Sequence, residues 1–265
     1  MDLDDGQFMD TTKSVQKRDG VLYTGIPGFD DLFSNGGIPQ GNAVMVAGGP
    51  GTGKSIFCRQ ICYNLISEGK RCMYVSFEET KDRIKRSMKS FGWNDVDSYV
   101  DSGQFLIQKI NPLDVLRMKF GSLGGSGSAT ELSYKIKPLV IPKGFDPEVI
   151  VVDSLTAIIA ASVTKEKNYR VYLQQLFSFF EETGATSFLI TETDPLPTRF
   201  SDSGIEEFLA DGILVLYNVH RQTGRQSAIE VLKMRYGKHA KKIVTMDITE
   251  QGMLVHPDQQ IHIDF

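Results

Sequence analysis

The sequence predicts an α/β fold with a mainly parallel central sheet, helices on both faces and a C-terminal antiparallel β extension. Three observations carry that expectation. Short, continuous apolar runs such as Ala43–Ala47 (AVMVA) and Val149–Val152 have the texture of strands buried on both faces. Between such runs lie stretches with apolar residues at helical spacing. After Gly212 the strands follow one another without intervening helices, which calls for antiparallel pairing.

The elements follow in order. Residues 1–20 are acidic, then mixed polar, and read as a mobile arm; residues 21–265 read as one domain. Ala43–Ala47 leads into a glycine-rich turn and a helix from about Ser55 to Ser67, stopped by Gly69. Cys72–Phe77 is the next strand. Thr80 is a suitable N-cap for a helix that sets Ile84, Met88 and Phe91 on one face. The other face carries Lys81, Arg83, Lys85, Arg86 and Lys89 and reads as solvated. Phe105–Lys109 makes a third strand. Gly121–Ala129 (GSLGGSGSA) has little to bury and is expected as a flexible loop. Val149–Val152 is a strand ending in Asp153. Tyr169–Thr183 places Tyr169, Tyr172, Leu173, Leu176, Phe179 and Phe180 on one side, as a helix packed on a sheet and ended by Gly184. Ser187–Thr191 is again a strand. Ile213–Val219 and Ala228–Tyr236, joined through a QTGR turn, form a hairpin that Ile243–Ile248 and Met253–His256 extend.

Composition narrows the classes. With 41% hydrophobic and 23% charged residues the chain can fill a core and keep a soluble surface. A net charge of −4 gives no whole-molecule attraction for phosphate backbones, so nucleic acid is not an expected partner. No run approaches the roughly 20 apolar residues of a membrane helix. Residues 1–20 lack the apolar centre of a signal peptide, so a cytoplasmic location is expected. Cys58, Cys62 and Cys72 have no metal-ligand spacing to His220, His239, His256 or His262, and read as buried reduced thiols.

Gly48-Gly49-Pro50-Gly51-Thr52-Gly53-Lys54-Ser55 matches G-x-x-x-x-G-K-[ST], with a buried strand before it and a helix after it. Glycines let the backbone curl so that several N–H groups converge at the positive end of a helix, where phosphate binds. Gly49, Pro50, Gly51, Thr52, Gly53, Lys54, Ser55 and Ile56 are therefore the candidate nucleotide-binding residues. Lys54 supplies a positive charge for the β- and γ-phosphates, and the Ser55 hydroxyl suits Mg²⁺. Asp153 ends a strand about a hundred residues later and is the second candidate metal residue; as a helix N-cap it would serve a structural end instead. Hydrolysis needs a base for water. Glu78 and Glu79 stand at a strand's carboxyl edge, where ligands of such sheets bind. One is expected to be the base and the other to support it, and the spacing does not say which.

Further segments resemble a known family. Thr24-Gly25-Ile26-Pro27-Gly28-Phe29-Asp30 and Gly36-Gly37-Ile38-Pro39-Gln40-Gly41, leading into the phosphate loop, look like KaiC and its single-domain archaeal relatives. Ser76-Phe77-Glu78-Glu79-Thr80 resembles the paired-glutamate motif, and Ser90-Phe91-Gly92-Trp93 follows at the family's distance. Val152-Asp153-Ser154 resembles the Walker B segment. Lys233-Met234-Arg235 with His239 is similar to the finger segment, and Asp247-Ile248-Thr249-Glu250-Gln251-Gly252 to the closing strand. The likeness runs from about Leu22 to Pro257.

The resemblance implies a RecA-like P-loop core that forms a homo-oligomeric ring, usually a hexamer, with ATP or ADP and Mg²⁺ between subunits. It implies that Lys233 and Arg235 reach a neighbour's γ-phosphate. It also implies that Ser90, His239, Thr249 and Glu250 touch nucleotide and that Thr191 senses the γ-phosphate. Tyr236-Gly237-Lys238 departs from the family's smaller residues. Glu207 and Phe208 stand where the clock protein carries autophosphorylated hydroxyls, and there is one P-loop, so autokinase activity is not expected. The leading function is a slow Mg²⁺-dependent ATPase whose nucleotide state controls assembly and contacts with an unidentified protein partner. The alternatives are a non-hydrolysing ATP-dependent module, as in motility-accessory relatives, and a RecA/RadA-type DNA-binding protein. Against the last, Gly121–Ala129 lacks the Lys and Arg that phosphate backbones require.

Overall fold

The continuous apolar runs become strands with a helical layer on each side. The computed structural model describes residues 20–112, 139–161, 166–194, 197, 200–201, 204–221 and 224–263. The expected loop at Gly121–Ala129 and, Gly20 apart, the expected arm lie outside these residues. In chain order, β1 (Val21–Leu22) and β2 (Ile38–Pro39) pair antiparallel as a small separate ribbon. Then come β3 (Ala43–Gly48), α1 (Lys54–Ser67), β4 (Cys72–Ser76), α2 (Lys81–Lys89), α3 (Val96–Asp101) and β5 (Phe105–Lys109). After them follow β6 (Val149–Asp153), α4 (Leu155–Ala161), α5 (Glu166–Thr183), β7 (Thr186–Glu192) and α6 (Ile205–Leu209). The tail is β8 (Gly212–Arg221), β9 (Gly224–Met234), β10 (Ile243–Thr249) and β11 (Gly252–Gln260).

Among the described residues, nine strands form one sheet in the order β11-β10-β9-β8-β3-β7-β6-β4-β5. The six from β8 to β5 in that order pair in parallel, and β9, β10 and β11 add antiparallel strands at one edge. The fold class is thus as the sequence predicts. Strand alternation divides the core into two. Val44 and Val46 pack with Phe57, Ile61 and Leu65 of α1, together with Ile84, Met88 and Val96. Ala43, Met45 and Ala47 face the other way, against Tyr172, Leu173 and Leu176 of α5. Each large apolar side chain buried this way stabilises the fold by about 1.5–3 kcal/mol.

Topology places the candidate crevice. The chain leaves β3 and crosses two strand positions to reach β4; β6 and β7 later fill that gap, and β8 docks on β3's other side. The loop after β3 therefore opens at the carboxyl edge beside β7 and β6, where the strand order reverses. Several expectations needed adjustment: α5 begins at Glu166 and β9 at Gly224, three and four residues before their predicted starts, and β11 runs four residues past His256. β9 stops at Met234 and not at Tyr236, because Tyr236 has φ of 63°, a left-handed turn conformation that ends the strand. β1, β2, α3 and α6 were not anticipated; each is too short to show a period. Thr80 does cap α2, its hydroxyl accepting from Arg83 N at 3.4 Å. The basic face of α2 is solvated in part: Lys85 Nζ lies 3.0 Å from Asp97 of α3, and Lys89 also pairs with Asp97. Cys58, Cys62 and Cys72 are buried and free. No helix among the described residues is long and apolar enough to cross a membrane.

Candidate active site

The turn between β3 and α1 curls because its glycines adopt conformations closed to other residues. Gly51 and Gly53 have φ of 74° and 96°, and a Cβ on Gly51 would meet nothing, so the backbone there lies open to a ligand. Thr52 is buried and braces the turn, its hydroxyl donating to Gly49 O at 2.9 Å. Lys54 is 6% exposed and folds over the same loop, its Nζ donating to Gly48 O at 2.8 Å and Gly49 O at 2.9 Å. Burial lowers its pKa, while Glu192, Asp153, Cys58 and Glu78 act in the opposite sense. From β8, Asn218 Nδ2 donates to Gly51 O at 3.2 Å and steadies the loop's outer turn.

A cavity of about 250 Å³ opens beside this loop, lined by Gly51, Gly53, Lys54, Ser55, Ile56, Ser76, Glu78, Glu79, Asp153, Ser154, Ile190 and Glu192. The structure thus brings together the loop, both glutamates and Asp153. Asp153 ends β6 opposite Ser76 of β4, and the peptide bond after it is cis. Tyr74 donates its hydroxyl to Asp153 Oδ2 at 2.5 Å. The two glutamates differ. Glu79 Oε1 lies 2.7 Å from Arg59 NH2, whereas Glu78 Oε1 accepts from Ser154 Oγ at 3.4 Å.

The donor set fits a magnesium nucleotide. Among the described residues no group of three His, Cys, Asp or Glu side chains stands ready to cage an ion by itself. One hydroxyl and one carboxylate, Ser55 and Asp153, instead border a cavity walled by an open amide loop and Lys54. Mg²⁺ characteristically takes one or two protein ligands and draws the rest from water and phosphate.

The family described as ATPase: KaiC matches residues 22–260. The chain belongs to the KaiC family of ATPases. A UPF0273 protein of Pyrococcus furiosus is 32% identical over 239 residues, covering 90% of this chain and 94% of that one. The circadian clock oscillator protein KaiC of Synechococcus elongatus is 31% identical over 241 residues, 89% of this chain, but the match spans only 44% of the clock protein. The crystal structure of a KaiC-like protein from Pyrococcus horikoshii superposes with a TM-score of 0.73 at 32% identity, covering 89% of this chain and 99% of the other. ATP binding and hydrolysis is the general class of activity that membership of this family supports.

The remaining KaiC-like positions fall in three places. Thr249 and Glu250 sit at the β10–β11 turn and line a neighbouring cleft of about 510 Å³ with Gln60, Met253 and Pro27. That hairpin is locked to α1, since Met253 N donates to Gln60 Oε1 at 2.6 Å and a Cβ on Gly53 would lie 2.5 Å from Met253 Cε. Thr191 is buried and points to the face of Leu189 and Ala47; its hydroxyl has no hydrogen-bond partner among the described residues, and its neighbours Ile190 and Glu192 line the cavity in its stead. Ser90 caps the C-terminal end of α2, its hydroxyl donating to Ser87 O, nine residues beyond Lys81 and roughly 13 Å along the helix axis.

Lys233, Arg235 and His239 lie at the other end of the sheet. Met234 pairs with Gly212, which in turn pairs with Val44 at the start of β3, whereas the phosphate loop follows its end. The separation along the strand is about 16 Å. There Lys233 Nζ donates to Glu207 O at 2.9 Å and Ala210 O at 2.7 Å, and burial lowers its pKa, aided by Arg235. Arg235 donates from NH2 to Phe208 O at 3.0 Å and from NH1 to Asp211 Oδ1 at 3.3 Å. His239 bridges to Phe33, and burial, with Lys241, lowers its pKa. Sequence reasoning missed Arg59, Tyr74, Ser154 and Glu192. Glu192 was legible: it ends β7 as Asp153 ends β6. Arg59 gave no motif signal.

Proposed function

We propose that the chain binds ATP with Mg²⁺ and hydrolyses it slowly between copies of itself, its nucleotide state controlling assembly and contacts with a further protein. One observation carries this reading: the charged residues are split between two edges of one sheet. Lys54, Ser55, Asp153 and Glu78 stand at the carboxyl edge, and Lys233 and Arg235 at the amino edge. Within one subunit the two sets cannot meet on one phosphate, so the cations at the amino edge serve a phosphate held by another copy. A homo-oligomeric ring, hexameric by family resemblance, closes such head-to-tail contacts.

In this reading the amides of Gly49, Gly51, Thr52, Gly53, Lys54 and Ser55 hold the phosphates, with Pro50 shaping the turn and Ile56 flooring the cavity. Lys54 exchanges its carbonyl partners for phosphate oxygens. Ser55 and Asp153 would hold the metal, which would supply positive charge to the phosphates. Glu78 accepts the proton of the attacking water, because its weak bond from Ser154 leaves the carboxylate available to the cavity. Thr249 and Glu250 border the nucleotide along α1. Ser90, Thr191 and His239 are family-matched contacts that this subunit alone does not bring to the cavity. Phe208 and Tyr236, 79% and 82% exposed beside Arg235, supply apolar area for a second copy to cover. Neither Glu207 nor Phe208 carries a hydroxyl, so self-phosphorylation there is not part of the proposal. Residues 21–265 act as one domain, and three free thiols suit a reducing cytoplasm.

Light scattering with and without Mg²⁺-ATP tests the reading. A particle that grows to a discrete multiple of 29.5 kDa with nucleotide is expected. A mass fixed at one chain in both conditions contradicts it.

A further inference from the structure

Arg59 lies on α1, five residues past Lys54, and is 4% exposed. Its guanidinium reaches three other elements. NH2 is 2.7 Å from Glu79 Oε1 and 3.7 Å from Asp153 Oδ2. Nε donates to the Tyr74 hydroxyl at 3.3 Å, and NH1 donates to Ser87 Oγ of α2 at 2.9 Å. The guanidinium also sits 5.5 Å from the centre of the Tyr74 ring. Burial disfavours its charge, but Tyr74, Glu79 and Asp153 together outweigh that and raise its pKa above the ordinary value. A permanently charged group is therefore sealed behind the cavity, between two carboxylates of unequal distance.

That inequality has a chemical consequence. Asp153 can serve a divalent cation only while its own charge is not cancelled by a protein cation. Arg59, at 3.7 Å, offsets part of that charge and would cancel more of it at contact distance. What keeps Arg59 from closing further on Asp153, with which it already makes a long ion pair at 3.7 Å, is the nearer carboxylate, Glu79, while Tyr74 occupies Asp153 Oδ2 by a neutral hydrogen bond.

We infer that Glu79 is a positioning residue, the counter-ion that draws Arg59 back from full contact with Asp153 and so preserves the metal affinity of Asp153. The inference rests on the nucleotide and metal reading of the same cavity. It divides the glutamate pair: Glu78 handles water, and Glu79 sets the charge of the metal carboxylate through Arg59. Ser87 fixes the guanidinium from behind, so the α1–α2 junction belongs to the same device.

Manganese titration in the presence of ADP, followed by electron paramagnetic resonance, reads metal binding without turnover. Glu79→Gln keeps the volume and deletes the charge; Arg59 then closes on Asp153, and Mn²⁺ binding weakens by about tenfold. Adding Arg59→Gln to Glu79→Gln removes the competing cation and returns the affinity to within about twofold of the wild type. Glu79→Gln binding Mn²⁺ as tightly as the wild type overturns the inference, as does a double variant no better than the single. If the double variant does not fold by circular dichroism, Glu79→Gln alone decides the matter. A wild type that binds Mn²⁺-ADP but releases no ADP from ATP refutes the hydrolysis reading and leaves this inference standing.

Discussion

Asp30 ties together the segment ahead of β3. Its carboxylate accepts from Thr24 N at 3.2 Å, Thr24 Oγ1 at 2.9 Å and Gly25 N at 3.0 Å. Burial pushes its pKa from 3.8 up to about 6, the bonds from Thr24 and Gly25 oppose that rise, and Asp31 adds repulsion. The folded chain thus holds a proton that the unfolded chain has released. This contribution to stability is complete below about pH 4 and is lost as pH climbs through about 6. Melting temperatures across that window should slope less in Asp30→Asn than in the wild type; parallel curves would contradict the assignment. At this scale legibility followed spacing. Lys54, Ser55, Glu78 and Asp153 were readable because a phosphate site fixes where each stands relative to a strand end. Arg59 was not, because a cation on an otherwise apolar helix has no sequence mark that tells a buried clamp from a solvated side chain.

Among elements, the β3–α1 turn depends on how tightly its surroundings close on it. A Cβ on Gly48 would lie 2.4 Å from the backbone carbonyl of Leu216 in β8, which cannot move without shifting the strand. On Gly53 it would meet Met253 Cε at 2.5 Å and Ile248 Cδ1 at 2.9 Å, both ends of flexible side chains. On Gly51 it would meet nothing, leaving only the backbone strain of a positive φ, about 1–3 kcal/mol. Urea unfolding should therefore rank Gly48→Ala as most destabilised, then Gly53→Ala, then Gly51→Ala. Gly48→Ala as stable as Gly51→Ala would show the turn to be looser than described. The parallel strands and α1 were legible to within a residue or two, since buried parallel strands are continuous apolar runs, whereas the polar ends of α5, β9 and β11 extend three or four residues beyond the apolar pattern. α3, α6, β1 and β2 were hidden because two to six residues do not establish a period. Tyr236 looked like strand because side-chain propensity does not reveal a left-handed φ.

For the whole molecule, the sheet's two edges carry the two proposed half-sites. The carboxyl edge has the phosphate-loop motif and the residues proposed to hold the metal and to activate water; the amino edge has Lys233, Arg235 and the exposed Phe208 and Tyr236. The sequence placed the charged residues among these in the family's motifs, with Phe208 and Tyr236 as departures, but carried no information about their separation, which arises from the antiparallel turn-back of β9 on β8. In the proposed assembly one copy's amino edge completes another copy's cavity. Mixing two variants tests it most directly: Glu78→Gln keeps its finger but lacks the base, and Arg235→Ala keeps the base but lacks the finger. Each alone should release ADP at background rate, and an equal mixture should recover turnover because some interfaces pair an intact base with an intact finger. A mixture no faster than the sum of its inactive parents would contradict completion between subunits.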